Sequence, residues 1–143
     1  MILLDTNVVS EPLKPNGDPK VVAWIDAQAL ETLYLSTISV AELRYGIAAL
    51  PDGKRKEDLR SSMNERVLPL FRSRILSFDL EAAEACAVLR GRARSDGKGL
   101  ATADSYIAAI AVAKGFIVAT RDVQPFNVAG VQVINPWEHG LRK

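Results

Sequence analysis

Five short apolar runs limit what this chain can become. They are Met1–Leu4, Leu33–Ser36, Arg74–Phe78, Phe116–Thr120 and Val131–Ile134, each four or five residues long. Such runs are too short for stable helices and lack the polar alternation of a half-exposed strand, so they read as strands buried on both faces. The segments between them carry helical spacing. A short helical turn through Val8, Val9 and Leu13 ends at Pro15-Asn16-Gly17, and Asp18-Pro19 opens a helix to about Ala29. Ser39 opens another, running to about Leu50 and stopped by Pro51-Asp52-Gly53. A polar helix follows over about Lys54–Arg72, with Leu59, Met63, Val67 and Phe71 at four-residue steps and Pro69 kinking or ending it. Asp79 caps a helix bearing Ala82, Cys86, Leu89 and Ala93, which ends near Asp96-Gly97. An alanine-rich helix covers about Thr102–Lys114, with Gly115 as its stop. Strands alternating with helices predict an α/β fold with a mainly parallel sheet. At 143 residues, with no internal repeat or linker, residues 1–143 are expected to form one domain.

Composition removes several classes of function. Eighteen basic and seventeen acidic residues leave a net charge of +1, which is not that of a strongly basic nucleic-acid binder. The one cysteine, Cys86, excludes an internal disulfide and any multi-cysteine zinc site. The one histidine, His139, stands four residues from the C-terminus, a poor place for a catalytic base. No run approaches the ~20 apolar residues of a membrane span, and Met1–Asn7 lacks the features of a signal peptide. A cytoplasmic protein with no membrane partner is the expectation. Phosphate-loop, Gly-x-Ser-x-Gly and His-Glu-x-x-His motifs are absent.

Ligands of an open parallel sheet bind outside the carboxyl ends of its strands, so acids placed after strands are candidates. Asp5 follows the first run and Asp122 the fourth; Glu42 lies in the first turn of the helix after the second, and Asp104 begins the helix before the fourth. Each also has a purely structural use. Asp5 and Asp122 suit turns, Asp104 suits a helix N-terminus, and Glu42 completes a capping box with Ser39. What distinguishes them is that, if the strands run parallel, all four fall near one end of the sheet.

The ordered set Leu4-Asp5-Thr6-Asn7, Ser39-Val40-Ala41-Glu42, Ala103-Asp104 and Ala119-Thr120-Arg121-Asp122 resembles the PIN-domain ribonucleases. Within them it is similar to the VapC-type toxins of toxin–antitoxin pairs. The run Asp5–Leu13 and the closing Asn135-Pro136-Trp137 look like the FitB-like branch. The approach to Asp104, Gly97–Thr102, departs from the expected apolar residue or proline. The resemblance implies a three-layer α/β/α sandwich and RNA cleavage leaving 5′-phosphate and 3′-hydroxyl ends. It implies Mg²⁺ or Mn²⁺ as cofactor, which suits oxygen donors without His or Cys. Asp5 and Asp104 would hold the ion, and Asp122 would bind the same or a second one directly or through water. Glu42 would bind through water or orient the attacking one, while Asn7 and Thr120 would either fix carboxylate rotamers or serve a turn or strand end. It further implies a cognate antitoxin that places a basic side chain among the acids, operator DNA bound only through that antitoxin, and a homodimer formed through the helix bearing Met63 and Val67.

Two stretches are basic: 54–74 has seven basic residues against three acidic ones, and 90–98 has four against Asp96. Either could hold a phosphate backbone or be a solvated helix face. Two other readings stand beside the nuclease. Leu4-Asp5-Thr6-Asn7 also resembles the opening of aspartyl-phosphate phosphatases, which need a second Asp where Asn7 stands. A catalytically silent PIN-like module would bind an antitoxin and, with it, operator DNA.

Overall fold

The computed structural model describes residues 1–138; His139 lies outside them. Five strands form one parallel sheet in the order β3-β2-β1-β4-β5: β1 (Ile2–Leu4), β2 (Leu33–Ser36), β3 (Ile75–Leu76), β4 (Ile117–Ala119) and β5 (Val133–Ile134). Ile2, Leu3 and Leu4 pair with Ile117, Val118 and Ala119, while Ile2 and Leu3 also pair with Leu33 and Tyr34. The sheet is wholly parallel. The central strands match their apolar runs closely. The edge strands β3 and β5 keep only two residues each, because each has a neighbour on one side only.

The period of two along each strand divides the core in two. Ile2, Leu4, Leu33, Leu35 and Ala119 face one cluster, with Val8, Trp24, Leu43, Met63 and Phe71. Leu3 and Val118 face the other, with Cys86, Leu89, Ile107, Ile110 and Phe126. Helices thus cover both faces, giving three layers. On the first side lie α1 (Thr6–Ser10), α2 (Pro19–Ala27), α3 (Thr37–Ala48), α4 (Lys54–Ser62) and the one-turn α5 (Leu68–Leu70). On the second lie α6 (Leu80–Ser95), α7 (Thr102–Lys114) and α8 (Val123–Val128).

The caps explain most helix bounds. Asp18 and Asp79 accept the N–H groups of Lys20 and Ala82, both at 2.9 Å. Gly115, at φ +72°, ends α7 in the left-handed conformation that glycine adopts without strain. Three expectations change. The cap of α3 is Ser36, whose Oγ accepts the Ser39 N–H at 3.1 Å; Ser39 is inside the helix, so its capping box with Glu42 does not form. The polar helix is interrupted by a π-helical turn over Met63–Val67, just before Pro69, which lacks an N–H and crowds the carbonyl of Glu65. Met63 on that turn is fully buried and offers no dimer face, whereas Val67 is only partly buried and lines an apolar groove with the exposed Leu70.

Gly17 closes the loop between α1 and α2 by close approach. A Cβ there would run into the backbone carbonyl of Glu11, which already accepts the Lys14 N–H at 3.1 Å. Gly17→Ala should destabilise the fold by about 1–3 kcal/mol, read from a urea midpoint; an unchanged midpoint would contradict the close approach.

Candidate active site

Asp5 leaves the end of β1, and its own N–H donates to Ala119 O on β4 at 2.9 Å. The side chain is 6% exposed. Its Oδ1 accepts the Thr6 N–H and its Oδ2 accepts the Thr120 hydroxyl, both at 2.8 Å. Thr120, fully buried just past β4, also accepts the Asp122 N–H at 3.1 Å. One hydroxyl therefore joins the loop carrying Asp122 to the carboxylate of Asp5, 115 residues away in sequence.

Glu42 reaches the same edge from the second turn of α3, beyond the first turn where its spacing from Ser39 would put it. Its Oε1 accepts the Thr6 hydroxyl at 2.5 Å, and Thr6 Oγ1 also lies 3.0 Å from the Ser39 hydroxyl. Thr6 thus orients Glu42 as Thr120 orients Asp5, a role invisible in sequence because it depends on a rotamer. Asp104 sits half-buried in the first turn of α7, where the helix dipole favours an anion. Asp122 occupies the N-cap of α8 yet makes no side-chain capping bond, leaving an exposed carboxylate uncommitted.

The electrostatics join the four. Burial pushes the Asp5 carboxyl up to about 6, against the hydrogen bonds from Thr120 and Thr6, and the charges of Asp104 and Glu42 push the same way. Asp104 is also raised, by burial first and then by Asp122 and Glu42. The predicted acids Asp5, Glu42, Asp104 and Asp122 therefore share one field.

Of the two roles open to Asn7, its hydrogen bond is to a loop rather than to a carboxylate. Its Oδ1 accepts the Arg121 N–H at 3.4 Å and touches none of the four acids, so it secures the loop before Asp122. Arg121 lies over the ring of Trp137 at 5.2 Å, a cation–π contact holding that loop from the other side. Glu11, buried and missed in the sequence, has its carboxyl held below the usual range, first by the Asp18 N–H at 2.8 Å, then by Lys14 and the charge of Arg121. An acid just before Pro12 in an otherwise apolar run was its only signal.

The family profile of the PIN domain matches residues 2–131. The chain belongs to the PIN-domain family. A VapC ribonuclease, Y4jK, from Sinorhizobium fredii is 55% identical over 138 residues, covering 96% of this chain and 99% of that protein. Two solved structures are each 52% identical with TM-score 0.93 and cover 96% of this chain: FitAcB from Neisseria gonorrhoeae, and FitAB bound to an IR36 DNA fragment. The match covers 99% of the first toxin chain and 96% of the second.

The donors of this PIN domain suit a hard divalent ion: the site offers carboxylates and hydroxyls, with no thiol or imidazole. Among the described residues no group of three or more Asp, Glu, His or Cys side chains is placed to hold a metal ion. Mg²⁺ does not require such a group, since it takes one or two carboxylates and fills its remaining positions with water and substrate phosphate. The residues fit such an ion.

Because the folded pKa of Asp5 is raised, its contribution to stability is full below the ordinary carboxylate pKa and is lost as pH rises through about 6. The loss by neutral pH is on the order of 3 kcal/mol. Asn at position 5 keeps an oxygen for the Thr6 N–H and an amide that can donate to the Thr120 oxygen. With chelator present, Asp5→Asn should melt at or above the parent at neutral pH, and its advantage should shrink toward about pH 4. A variant melting well below the parent at neutral pH would contradict the repulsive cluster.

Proposed function

We propose that this PIN domain is a metal-dependent endoribonuclease and acts as the toxin of a type II, VapBC-like toxin–antitoxin pair. The observation that carries this reading is the placement of Asp5 and Asp104 at the carboxyl edge of the sheet, where burial first, and then the charges of Glu42 and Asp122 among their neighbours, resist their ionisation. An arrangement that resists its own ionisation is suited to a cation. Support comes from a relative named as a VapC ribonuclease and from toxin complexes of the same fold, one of them on DNA.

Asp5 and Asp104 would hold Mg²⁺ or Mn²⁺, with Asp122 binding directly or through water. A divalent ion bound there supplies the charge that favours attack by water at phosphorus and stabilises the departing oxygen. Thr120 fixes the Asp5 rotamer through Oδ2, and the Thr6 N–H fixes it through Oδ1. Glu42, held by Thr6, orients the attacking water and takes its proton. The water oxygen forms the new P–O bond while the P–O3′ bond breaks, so the 3′ oxygen leaves with a proton and the phosphate stays on the 5′ side. Products therefore carry 5′-phosphate and 3′-hydroxyl ends.

The partner is a small antitoxin whose segment places a basic side chain among the four acids and displaces the ion. Operator DNA is bound through the antitoxin, and the toxin forms a homodimer. Full nuclease activity in the co-purified complex would contradict the inhibitory role.

Asp104→Asn should lower RNA cleavage by more than about a hundredfold, and Thr120→Val by about 10–100-fold, the usual cost of losing a hydrogen bond that orients a ligand. EDTA should abolish cleavage and Mn²⁺ restore it. Cleavage that persists in EDTA would overturn the metal-dependent mechanism, and a protein that binds an antitoxin yet never cuts RNA would be the silent module.

A further inference from the structure

The two basic stretches part company in the structure. On α4 three of the four cations are paired, Lys54 with Asp58 at 3.4 Å, Lys56 with Asp52 at 3.2 Å and Arg60 with Glu57 at 2.9 Å, which leaves Arg55. Arg74 donates to the carbonyls of Leu33 and Leu70, so it serves the fold. At the end of α6, by contrast, Arg90, Arg94 and Lys98 converge on one cleft of about 470 Å³. Among the described residues none of the three has a carboxylate within ion-pair distance. Asp96, the acid of that segment, does not line the cleft.

The floor of the cleft is glycine: Gly91, Gly97 and Gly99. The left-handed conformation of Gly97, φ +72°, accounts for a glycine there, but at Gly91 and Gly99 a Cβ would meet nothing within 4 Å and no packing demand explains the lack of a side chain. Gly91 lies inside α6, where glycine costs about 1 kcal/mol relative to alanine. Arg90 and Arg94 are four residues apart on one helix face, a spacing at which like charges repel. The helix dipole accounts for cations in the last turn, where Arg92 and Arg94 stand, but Arg90 lies before it and Lys98 beyond the helix. A cationic rim above a floor without side chains suits an anion that approaches the backbone closely.

The cleft adjoins the acids. α6 and α7 pack side by side and are joined by only residues 96–101, so they run antiparallel, and the end of α6 meets the start of α7. Leu100 lines the cleft and is four residues from Asp104, at most about 15 Å along the chain.

We propose that the cleft of Arg90, Arg94 and Lys98 is a binding site for the RNA backbone, holding phosphates a few nucleotides from the bond being cut. This rests on the nuclease reading and adds to it where the strand runs: from the acids over the α6–α7 junction. The floor admits the phosphate and the three cations replace its counterions.

The test uses the full chain and a labelled single-stranded oligoribonucleotide. The triple variant R90Q/R94Q/K98Q should raise KM for RNA at least tenfold. It should also flatten the slope of log affinity against log salt by about 2, given roughly 0.7 per phosphate contact on single strands. Lys54→Gln, which breaks only the α4 pair, should change neither. Gly91→Leu, which fills the floor and keeps every charge, should also raise KM. An unchanged KM and salt slope in a triple variant that melts like the parent would overturn the proposal, as would loss of duplex-DNA binding with RNA binding intact. If the parent itself cuts no RNA, the nuclease reading fails instead.

Discussion

Everything at the functional edge follows from a repulsion that the fold enforces. Carboxylates in water avoid one another, yet Asp5 is anchored by a main-chain bond to β4 and two side-chain bonds, with the charges of Glu42 and Asp104 in reach. Burial is the larger part of what resists ionisation of Asp5, and those charges add to it. Such a cluster is stable only because the parallel sheet beneath it is tightly packed, with Leu3, Leu35 and Val118 fully buried. The core supports a site that by itself opposes folding.

Two threonines make that repulsion useful. Thr120 holds Asp5 and, through the Asp122 N–H, the neighbouring loop. Thr6 holds Glu42 from the opposite side and contacts Ser39. Arg121 over Trp137 and against Asn7 steadies the same loop without touching an acid. The four carboxylates stand just past β1, on α3, on α7 and at the β4–α8 junction, and hydroxyl contacts of Thr6 and Thr120 orient those of Glu42 and Asp5.

The central sheet was legible because strands buried on both faces leave uninterrupted apolar runs, as at Ile2–Leu4 and Leu33–Ser36. The edges were not, since the pattern of Arg74–Phe78 says nothing about how many residues find a partner. The start of α3 was ambiguous because Ser36 and Ser39 can each cap, and only the backbone conformation decides. Helix α8 has no apolar stripe and carries Pro125, so nothing in the sequence marks a helix there, although proline is tolerated in a first turn. At the site, the rule that ligands gather at strand ends reached the four acids, and resemblance gave their order. The uses of Thr6, Glu11 and Asn7 depend on side-chain rotamers and on which loops meet, which no spacing encodes.

Charge is sorted by position in this molecule. Paired cations on α4 belong to the surface of the fold, while unpaired ones at the end of α6 stand next to Asp104. The central claim is that the four acids create one site for one kind of ion, and anomalous scattering from crystals soaked in Mn²⁺ tests it most directly. The expected result is a peak in contact with both Asp5 and Asp104. A peak elsewhere on the molecule, or none at concentrations that support cleavage, would contradict it.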